Sequence, residues 1–195
     1  LKTTDEVMKY YDEWGVKNKY DQDMVDWNYT GPKETVATFI KYAKDKNIKI
    51  LDAGCGTGLV GIELKKYNYL NIDGMDLSKK LLDLVPNGYY QNLNQVDLNK
   101  TIKVNNDTYD AVMCVGTFTF GHVKPHALNE FIRITKNKGL ICFTINEGIY
   151  EEYGFNKKIE QLNKDNKWKE VEFFKSNYIA SKDVNAWLGL YEVIK

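Results

Sequence analysis

Cysteine is scarce in this 195-residue chain, which contains only Cys55, Cys114 and Cys142. The count is odd and no two of them form a C-x-x-C pair, which argues against a disulfide framework and a structural zinc site. Cys114 and Cys142 lie inside apolar runs and are expected to be buried, reduced thiols. This usage predicts a reducing, cytoplasmic compartment.

An excess of basic charge and a long apolar run are also missing. Lysine and arginine number 27 against 27 acidic residues, whereas nucleic-acid binders usually carry a basic excess that neutralises phosphates. No stretch approaches the ~20 apolar residues that a membrane helix needs, and the N-terminus does not resemble a signal peptide. We therefore expect neither a nucleic-acid nor a membrane partner. The oligomeric state is left open.

Apolar patterns of two kinds alternate along the chain, and they predict one domain over residues 1–195. Strands are predicted near 48–51, 72–76, 89–93, 109–115, 140–145, 169–174 and 186–193. Helices are predicted near 3–19, 31–47, 59–67, 78–85, 125–135 and 151–164, with a loop at 20–23. This order predicts an α/β fold, a doubly wound, mostly parallel seven-stranded sheet with helices on both faces and an antiparallel strand pair at the C-terminal edge. Residues 1–30 are expected to form a helical lid over the ligand-binding edge.

A glycine-rich loop follows the first predicted strand, in the sequence Leu51-Asp52-Ala53-Gly54-Cys55-Gly56-Thr57-Gly58. Glycine reaches positive φ without penalty and lets a ligand approach backbone N–H groups, although a plain tight turn has the same requirement. A dinucleotide fingerprint wants a small residue at position 59, where this chain has Leu59. Asp52 would also repel a pyrophosphate. The loop favours a ligand that presents an amine, such as S-adenosylmethionine, which has an α-amine and a sulfonium and no phosphate.

Four segments of the chain resemble the class I S-adenosylmethionine-dependent methyltransferases. They are Asp52 to Gly58 (motif I), Gly74-Met75-Asp76-Leu77-Ser78, Gln95-Val96-Asp97-Leu98 and Tyr109 to Val115. The resemblance implies that Asp76 accepts from the ribose hydroxyls and Asp97 from the adenine amino group. It also implies that Leu77 and Leu98 sandwich the adenine. The implied cofactor contacts are Tyr20, Asp52, Gly54, Cys55, Gly56, Gly58, Asp76, Leu77, Asp97, Leu98 and Val115, with S-adenosylhomocysteine as the product.

A narrower resemblance, to the methyltransferase-like proteins of the Williams–Beuren syndrome region and their invertebrate relatives, rests on segments outside those motifs. It is carried by Tyr11-Asp12-Glu13-Trp14, Tyr20-Asp21-Gln22-Asp23, Tyr29-Thr30-Gly31-Pro32, Gly121-His122 and 128–133. The Tyr20-Asp21 pair matches the lid motif of that family. One departure is Lys136-Asn137-Lys138-Gly139, where the family usually has Pro-Gly-Gly, and it is expected to change only a turn.

Methyl transfer from a sulfonium needs alignment and the exclusion of water more than it needs a catalytic side chain. Where the acceptor arrives protonated, His122 is the candidate base, because it follows the fourth strand and its reference pKa lies near neutral pH. A packing or capping role for His122 is the alternative, and His126 is expected to be structural. Aromatic side chains could wall an acceptor pocket or could simply be core: Trp14, Tyr20, Trp27, Tyr29, Phe118 and Phe120.

The acceptor is narrowed by motifs that the sequence does not contain. It has no Asn-Pro-Pro-aromatic motif after the fourth strand, no Pro-Cys pair, and no acidic residue between Val115 and His122 to hold a catalytic metal. We therefore expect a small-molecule acceptor, with a protein side chain as the next choice, and no metal. A protein that binds the cofactor without catalysis, and a nicotinamide-dependent dehydrogenase, are the rival hypotheses.

Overall fold

The computed structural model describes residues 3–14, 19–26, 28–179 and 184–195. The helices are α1 (Thr4–Trp14), α2 (Lys19–Asp26), α3 (Gly31–Phe39), α4 (Leu59–Lys66), α5 (Lys79–Asp83), α6 (Ala127–Ile134), α7 (Glu147–Tyr150) and α8 (Phe155–Lys164). The strands are β1 (Ile50–Ala53), β2 (Ile72–Asp76), β3 (Asn92–Gln95), β4 (Tyr109–Phe118), β5 (Thr135–Asn146), β6 (Trp168–Ile179) and β7 (Val184–Val193). None of the helices in these ranges is long and apolar enough to cross a membrane.

The seven strands form one sheet in the order β3-β2-β1-β4-β5-β7-β6. Neighbours from β3 to β5 run parallel, whereas β7 is antiparallel to both β5 and β6. The strand order reverses between β1 and β4, which is where ligands bind in open α/β sheets. The predicted fold class, with its antiparallel pair at the C-terminal edge, is confirmed.

Helices cover both faces of the sheet, because successive side chains of a strand point to opposite sides. Ile50 packs in a core with Phe39 of α3 and Leu64 of α4. Its neighbour Leu51 packs in a second core with Phe131 of α6 and Phe155 of α8. The buried, near-continuous apolar β1 and β4 are therefore central strands, as their sequences predict.

Several predicted boundaries differ from the structure; β4, β5 and β6 are longer than predicted and α8 begins later. The segment predicted as a loop at 20–23 lies within α2, where the side chain of Gln22 donates to Asp26 one turn later, at 2.8 Å. Helix α3 ends at Phe39 instead of continuing to position 47, and turns follow it, after which the Ala43 carbonyl accepts from the Tyr69 hydroxyl. Strand β3 begins at Asn92, three residues later than predicted, and all four of its residues are exposed.

Helix α1 lies against α5 beside the carboxyl ends of the strands. Ser78 links the two helices, because its hydroxyl caps α5 by accepting from the Leu81 N–H at 3.2 Å and donates to the Asp12 carboxylate at 2.5 Å. Ser78 was predicted to cap this helix, and the structure confirms it. The buried Val7 turns from α1 toward the interior. This placement makes α1 available to cover a ligand bound at the sheet edge.

Candidate functional site

The glycine loop joins β1 to α4 through backbone that only glycine adopts readily. Gly54 has φ +79° and Gly58, the N-cap of α4, has φ +93°. The N–H groups of Gly54 and Cys55 both donate to the Met75 carbonyl, at 2.7 and 3.0 Å. A Cβ on Gly54 would lie 2.1 Å from the Thr117 hydroxyl oxygen. Position 54 therefore has neither the backbone conformation nor the space for a side chain.

Asp76, at the end of β2, is fixed by backbone donors. Its two carboxylate oxygens accept from the N–H groups of Gly56 at 2.8 Å and Ser78 at 2.9 Å. Burial raises the pKa of Asp76, and these N–H groups work against that rise by stabilising the charge. A carboxylate has about four acceptor positions, so Asp76 keeps capacity for hydroxyl donors from a ligand.

A cavity of about 540 Å³ opens at the carboxyl ends of the central strands, within the usual range of small-molecule sites. The predicted site residues that line it are Gly54, Gly56, Asp76, Leu77, Asp97, Leu98, Val115 and His122. Residues on α1 (Val7) and just before it (Thr3) complete one wall. The cavity thus brings together residues from the ends of four strands that are up to 68 positions apart in sequence. Their roles in binding remain predictions.

Asp52 is the main exception, since its side chain lies beneath the glycine loop and does not line the cavity. Its Oδ2 accepts from the Tyr90 hydroxyl at 2.6 Å, and its Oδ1 has no hydrogen-bond partner within the described ranges. Burial raises the pKa of Asp52 to about 7, against the lowering effect of the Tyr90 hydrogen bond and with a further rise from the charge of Asp76. Any effect of Asp52 on a ligand amine acts through the loop.

Of three other predicted cofactor contacts, Cys55 and Gly58 do not line the cavity, and the third is Tyr20. Cys55 is buried behind the loop, and a Cβ on Gly58 would meet Tyr90 and Val85. The side chain of Tyr20 lies outside the described part of the structure. Cys55 and Gly58 therefore shape the loop from behind.

His122 lines the cavity on the segment that follows β4. Its backbone N–H donates to the Thr119 carbonyl at 3.3 Å, and its backbone carbonyl accepts from the Asn99 side-chain amide at 3.4 Å. Burial lowers the pKa of His122 to about 4, and the positive charge of Lys124 contributes. The imidazole is therefore neutral at pH 7 and able to accept a proton, but it is a weaker base than its reference pKa suggests.

The aromatic side chains proposed for an acceptor wall have other surroundings. Phe118 is 1% exposed and packs in the core against Phe155, with ring centroids 4.8 Å apart, so of the two alternatives it takes the place in the core. Phe120 is half exposed and does not line the cavity. The Trp14 indole donates to Asp23 at 2.7 Å. Trp27 lies outside the described residues.

Tyr29 packs behind the site. A Cβ on Gly116 would lie 2.4 Å from the Tyr29 hydroxyl oxygen, and the Tyr29 ring meets Tyr178 edge-on. Tyr29 also borders a small cleft of about 20 Å³ next to Gly54 and Val115. It supports the backbone that faces the larger cavity, but it does not line that cavity.

Sequence reasoning missed three residues that shape the site. Asn99 ties two loops together, because its Oδ1 accepts from the Lys124 N–H at 2.9 Å and its carbonyl lies 2.9 Å from the His126 ring nitrogen. Tyr153 lines the cavity, and the Tyr90 hydroxyl contacts Asp52. Thr117 also lines the cavity, near the end of β4 and in the 116–122 segment that the sequence predicts to border the methyl-transfer pocket. Nothing in the sequence marked the other residues.

Similarity to known proteins agrees with this geometry. Residues 50–139 match the family model of a methyltransferase domain. Methyltransferase-like protein 27 of Homo sapiens is 33% identical over 141 residues, which make up 70% of this chain and 56% of that protein. A malonyl-acyl-carrier-protein O-methyltransferase of Halalkalibacterium halodurans is 31% identical over 109 residues, 52% of this chain and 40% of that protein. The magnesium protoporphyrin IX methyltransferase of Synechocystis PCC 6803, solved with S-adenosylmethionine bound, is 13% identical and superimposes with a TM-score of 0.71 over 99% of this chain and 98% of that chain.

The chain is similar to methyltransferase domains over residues 50–139 and shares the fold of solved methyltransferases. The resemblance of the sequence to methyltransferases and methyltransferase-like proteins is confirmed. The chain spans 56% and 40% of the lengths of the two curated relatives above, so the match concerns the domain and not the whole of those proteins.

The cavity of the methyltransferase domain fits S-adenosylmethionine in its chemistry. Asp76 and Asp97 line the cavity with carboxylates, which can accept from hydroxyl and amino donors of the kind that the cofactor presents. Leu77 and the buried Leu98 provide apolar walls for the adenine ring. The backbone of Gly54 and Gly56 faces the cavity without side chains, as close approach of a ligand requires.

Proposed function

We propose that this chain is a methyltransferase that binds S-adenosylmethionine in the 540 Å³ cavity and transfers the methyl group to a small-molecule acceptor. The single observation that carries the proposal is the convergence of the glycine loop, Asp76, Asp97 and His122 on one cavity at the carboxyl ends of the strands. The electrostatic potential of the cavity suits a neutral diol, an amine and a sulfonium better than a pyrophosphate, because Asp52 and Asp76 place negative charge beside the glycine loop.

The residues of the chain have separate tasks in this proposal. The glycine loop and Asp76 hold and orient the cofactor, whose sulfonium supplies an activated methyl group. The segment from Val115 to His122, together with Val7 of α1, bounds the cavity and excludes water from it. His122, which is neutral at pH 7, accepts the proton of an acceptor that arrives as a hydroxyl or an amine. A carboxylate acceptor arrives ionised and needs no base.

A small acceptor is supported by the size of the cavity, which has to hold the cofactor as well. The name of one relative, a malonyl-acyl-carrier-protein O-methyltransferase, indicates that carboxylates belong in an acceptor screen. Lys124 and His126 line the same cavity and give an anionic acceptor a favourable surface. Within the described ranges, no group of three or more His, Cys, Asp or Glu side chains is placed to hold a metal ion.

Calorimetric titration with S-adenosylhomocysteine and with NAD tests the cofactor assignment. Saturable S-adenosylhomocysteine binding that is about 10- to 100-fold weaker in Asp76→Asn, with no NAD binding, is expected. Tighter binding of NAD would overturn the proposal.

Formation of S-adenosylhomocysteine, measured with small carboxylates, hydroxyls and amines in turn, tests the reaction. Turnover with one class is expected, and the Asp76→Asn variant should need about 10- to 100-fold more cofactor to reach the same rate. Binding of the cofactor without turnover in any class, including protein substrates, would favour a non-catalytic binding protein instead.

A further inference from the structure

Tyr90, two residues before the start of β3 and outside every motif above, fills a space left by three glycines. A Cβ on Gly61 would lie 2.4 Å from the Tyr90 ring, one on Gly74 would lie 3.0 Å from it, and one on Gly58 would lie 3.1 Å from it. These glycines belong to α4, β2 and the glycine loop respectively. The ring is thus enclosed by the elements that hold the loop in place.

The Tyr90 hydroxyl joins the two ends of the loop. It donates to Oδ2 of Asp52, on β1 just before the loop, at 2.6 Å. It accepts from the N–H of Gly61, in the first turn of α4 just after the loop, at 3.0 Å. The first N–H groups of a helix need external acceptors, and Gly58 at the N-cap position has no side chain to provide one. Tyr90 supplies the missing cap from a distant part of the chain.

We propose that Tyr90 is a positioning residue that holds the glycine loop in its cofactor-binding conformation by bridging Asp52 and the start of α4. The inference rests on the proposed S-adenosylmethionine binding. Tyr90 does not line the cavity, so it acts on the ligand only through Asp52 and the loop backbone. The space for the Tyr90 ring depends on the absence of side chains at Gly58, Gly61 and Gly74. This requirement for glycine is separate from any contact that the loop makes with the ligand.

The bridge also links cofactor affinity to pH. The titratable groups that face Asp52 are Tyr90, Asp76, Cys55 and Cys114. Burial raises the pKa of both thiols, and burial with the charge of Asp52 raises the pKa of the Tyr90 hydroxyl, so all three stay neutral from pH 6 to 8. Asp52 itself changes charge near pH 7. An ionised Asp52 attracts a ligand amine, so affinity falls as the pH drops through 7.

Tyr90→Phe removes the hydroxyl and keeps the ring. Loss of one hydrogen bond at the loop is expected to weaken S-adenosylhomocysteine binding about three- to tenfold at pH 8. Because the hydroxyl lowers the pKa of Asp52, its removal also shifts the pH at which affinity falls to a higher value. Tyr89→Phe is the matched control, since the Tyr89 ring contacts Lys65 at 4.5 Å on the outer side of α4. This control is expected to bind like the wild type.

Titration of the full chain with S-adenosylhomocysteine from pH 6 to 8.5 decides the matter, because the amine of the ligand titrates identically in every variant. Equal affinity of Tyr90→Phe and wild type, or a loss by the same factor at every pH, would overturn the positioning role while leaving the cofactor assignment intact. Absence of binding to the wild-type protein would instead defeat the proposed function.

Asp52→Asn provides a second measurement where Tyr90→Phe folds poorly. It retains an acceptor for Tyr90 and removes the charge. The affinity of Asp52→Asn for S-adenosylhomocysteine is expected not to show the fall at low pH that the wild type and Tyr90→Phe show at different pH values. An unchanged pH profile in Asp52→Asn would overturn the proposal.

Discussion

The buried carboxylate of Asp52 makes the protein less stable as the pH rises, and Asp52→Asn is expected to remove that effect. Burial raises the pKa of Asp52 from 3.8 to about 7 in the folded protein. Between those values the folded protein holds a proton that the unfolded chain has released. The contribution of Asp52 to the free energy of unfolding therefore falls as the pH rises toward 7, and it stays at its lower level above that pH. Asparagine does not titrate and follows no such curve.

The size of the effect follows from the pKa values. The two pH units between 5 and 7, at 1.36 kcal/mol for each, correspond to about 3 kcal/mol in the free energy of unfolding. Asp52 is fully buried, so solvent screening reduces this little. The asparagine amide nitrogen would stand without a partner next to Tyr90, at a cost of ~1–3 kcal/mol that does not depend on pH. The difference in stability between variant and wild type is thus expected to change by about 3 kcal/mol from pH 5 to pH 8, in favour of the variant.

Urea unfolding of both ligand-free proteins at pH 5, 6, 7 and 8 measures this difference directly, with similar m-values as the check on two-state behaviour. Asp73→Asn is the matched control on the neighbouring strand, because the carboxylate of Asp73 has a cationic partner in Lys49 at 3.3 Å and accepts from Tyr109 at 3.1 Å. The control is expected to be destabilised at pH 8. A constant difference between Asp52→Asn and wild type at all four pH values would refute the reasoning.

Three further changes separate binding, chemistry and packing. Asp76→Asn is expected to weaken S-adenosylhomocysteine binding about 10- to 100-fold, because it removes a charged acceptor of hydroxyl groups, and calorimetry measures this. His122→Asn is expected to lower turnover about 100-fold with a hydroxyl or amine acceptor at unchanged cofactor affinity, and unchanged turnover would exclude a role as base. The rate attributable to His122 is expected to be independent of pH above 6, because its pKa of about 4 keeps it neutral there. Phe118→Ala is expected to destabilise folding by about 3–5 kcal/mol in urea, and an altered acceptor KM at full stability would contradict its place in the core.

Periodicity was sufficient to predict the sheet and its central strands, since β1 and β4 are mostly apolar runs that a sheet covered on both faces can bury. It was insufficient where tertiary contacts set the boundary. Tyr89 and Tyr90 suggested an early start for β3, but the Tyr90 ring is taken up by the space beside Gly61 and the strand begins at Asn92.

The candidate site was predictable to the extent that each residue lies at a strand end, where the topology determines its surroundings. Asp76, Asp97 and Val115 satisfy that condition and line the cavity. Phe118 does not, because β4 continues beyond Val115 and carries Phe118 into the core below α6. The contribution of α1 also depends on packing between segments that are distant in sequence, such as the contact of Asp12 with Ser78.

Asp52 shows why a motif alone gives an incomplete account of its own residues. Its charge was interpreted as a direct attraction for an amine, yet the side chain lies under the loop with Tyr90 as its donor. A buried carboxylate with one unpartnered oxygen costs stability at neutral pH, so a residue chosen for folding alone would be asparagine or an apolar side chain. Retention of an acid here makes sense when a cationic ligand gains from the charge, because binding then offsets what folding loses. Asp52→Asn should accordingly raise the stability of the free protein at pH 8 and lower its affinity for S-adenosylhomocysteine, and a variant that gained in both respects would separate the carboxylate from cofactor binding altogether.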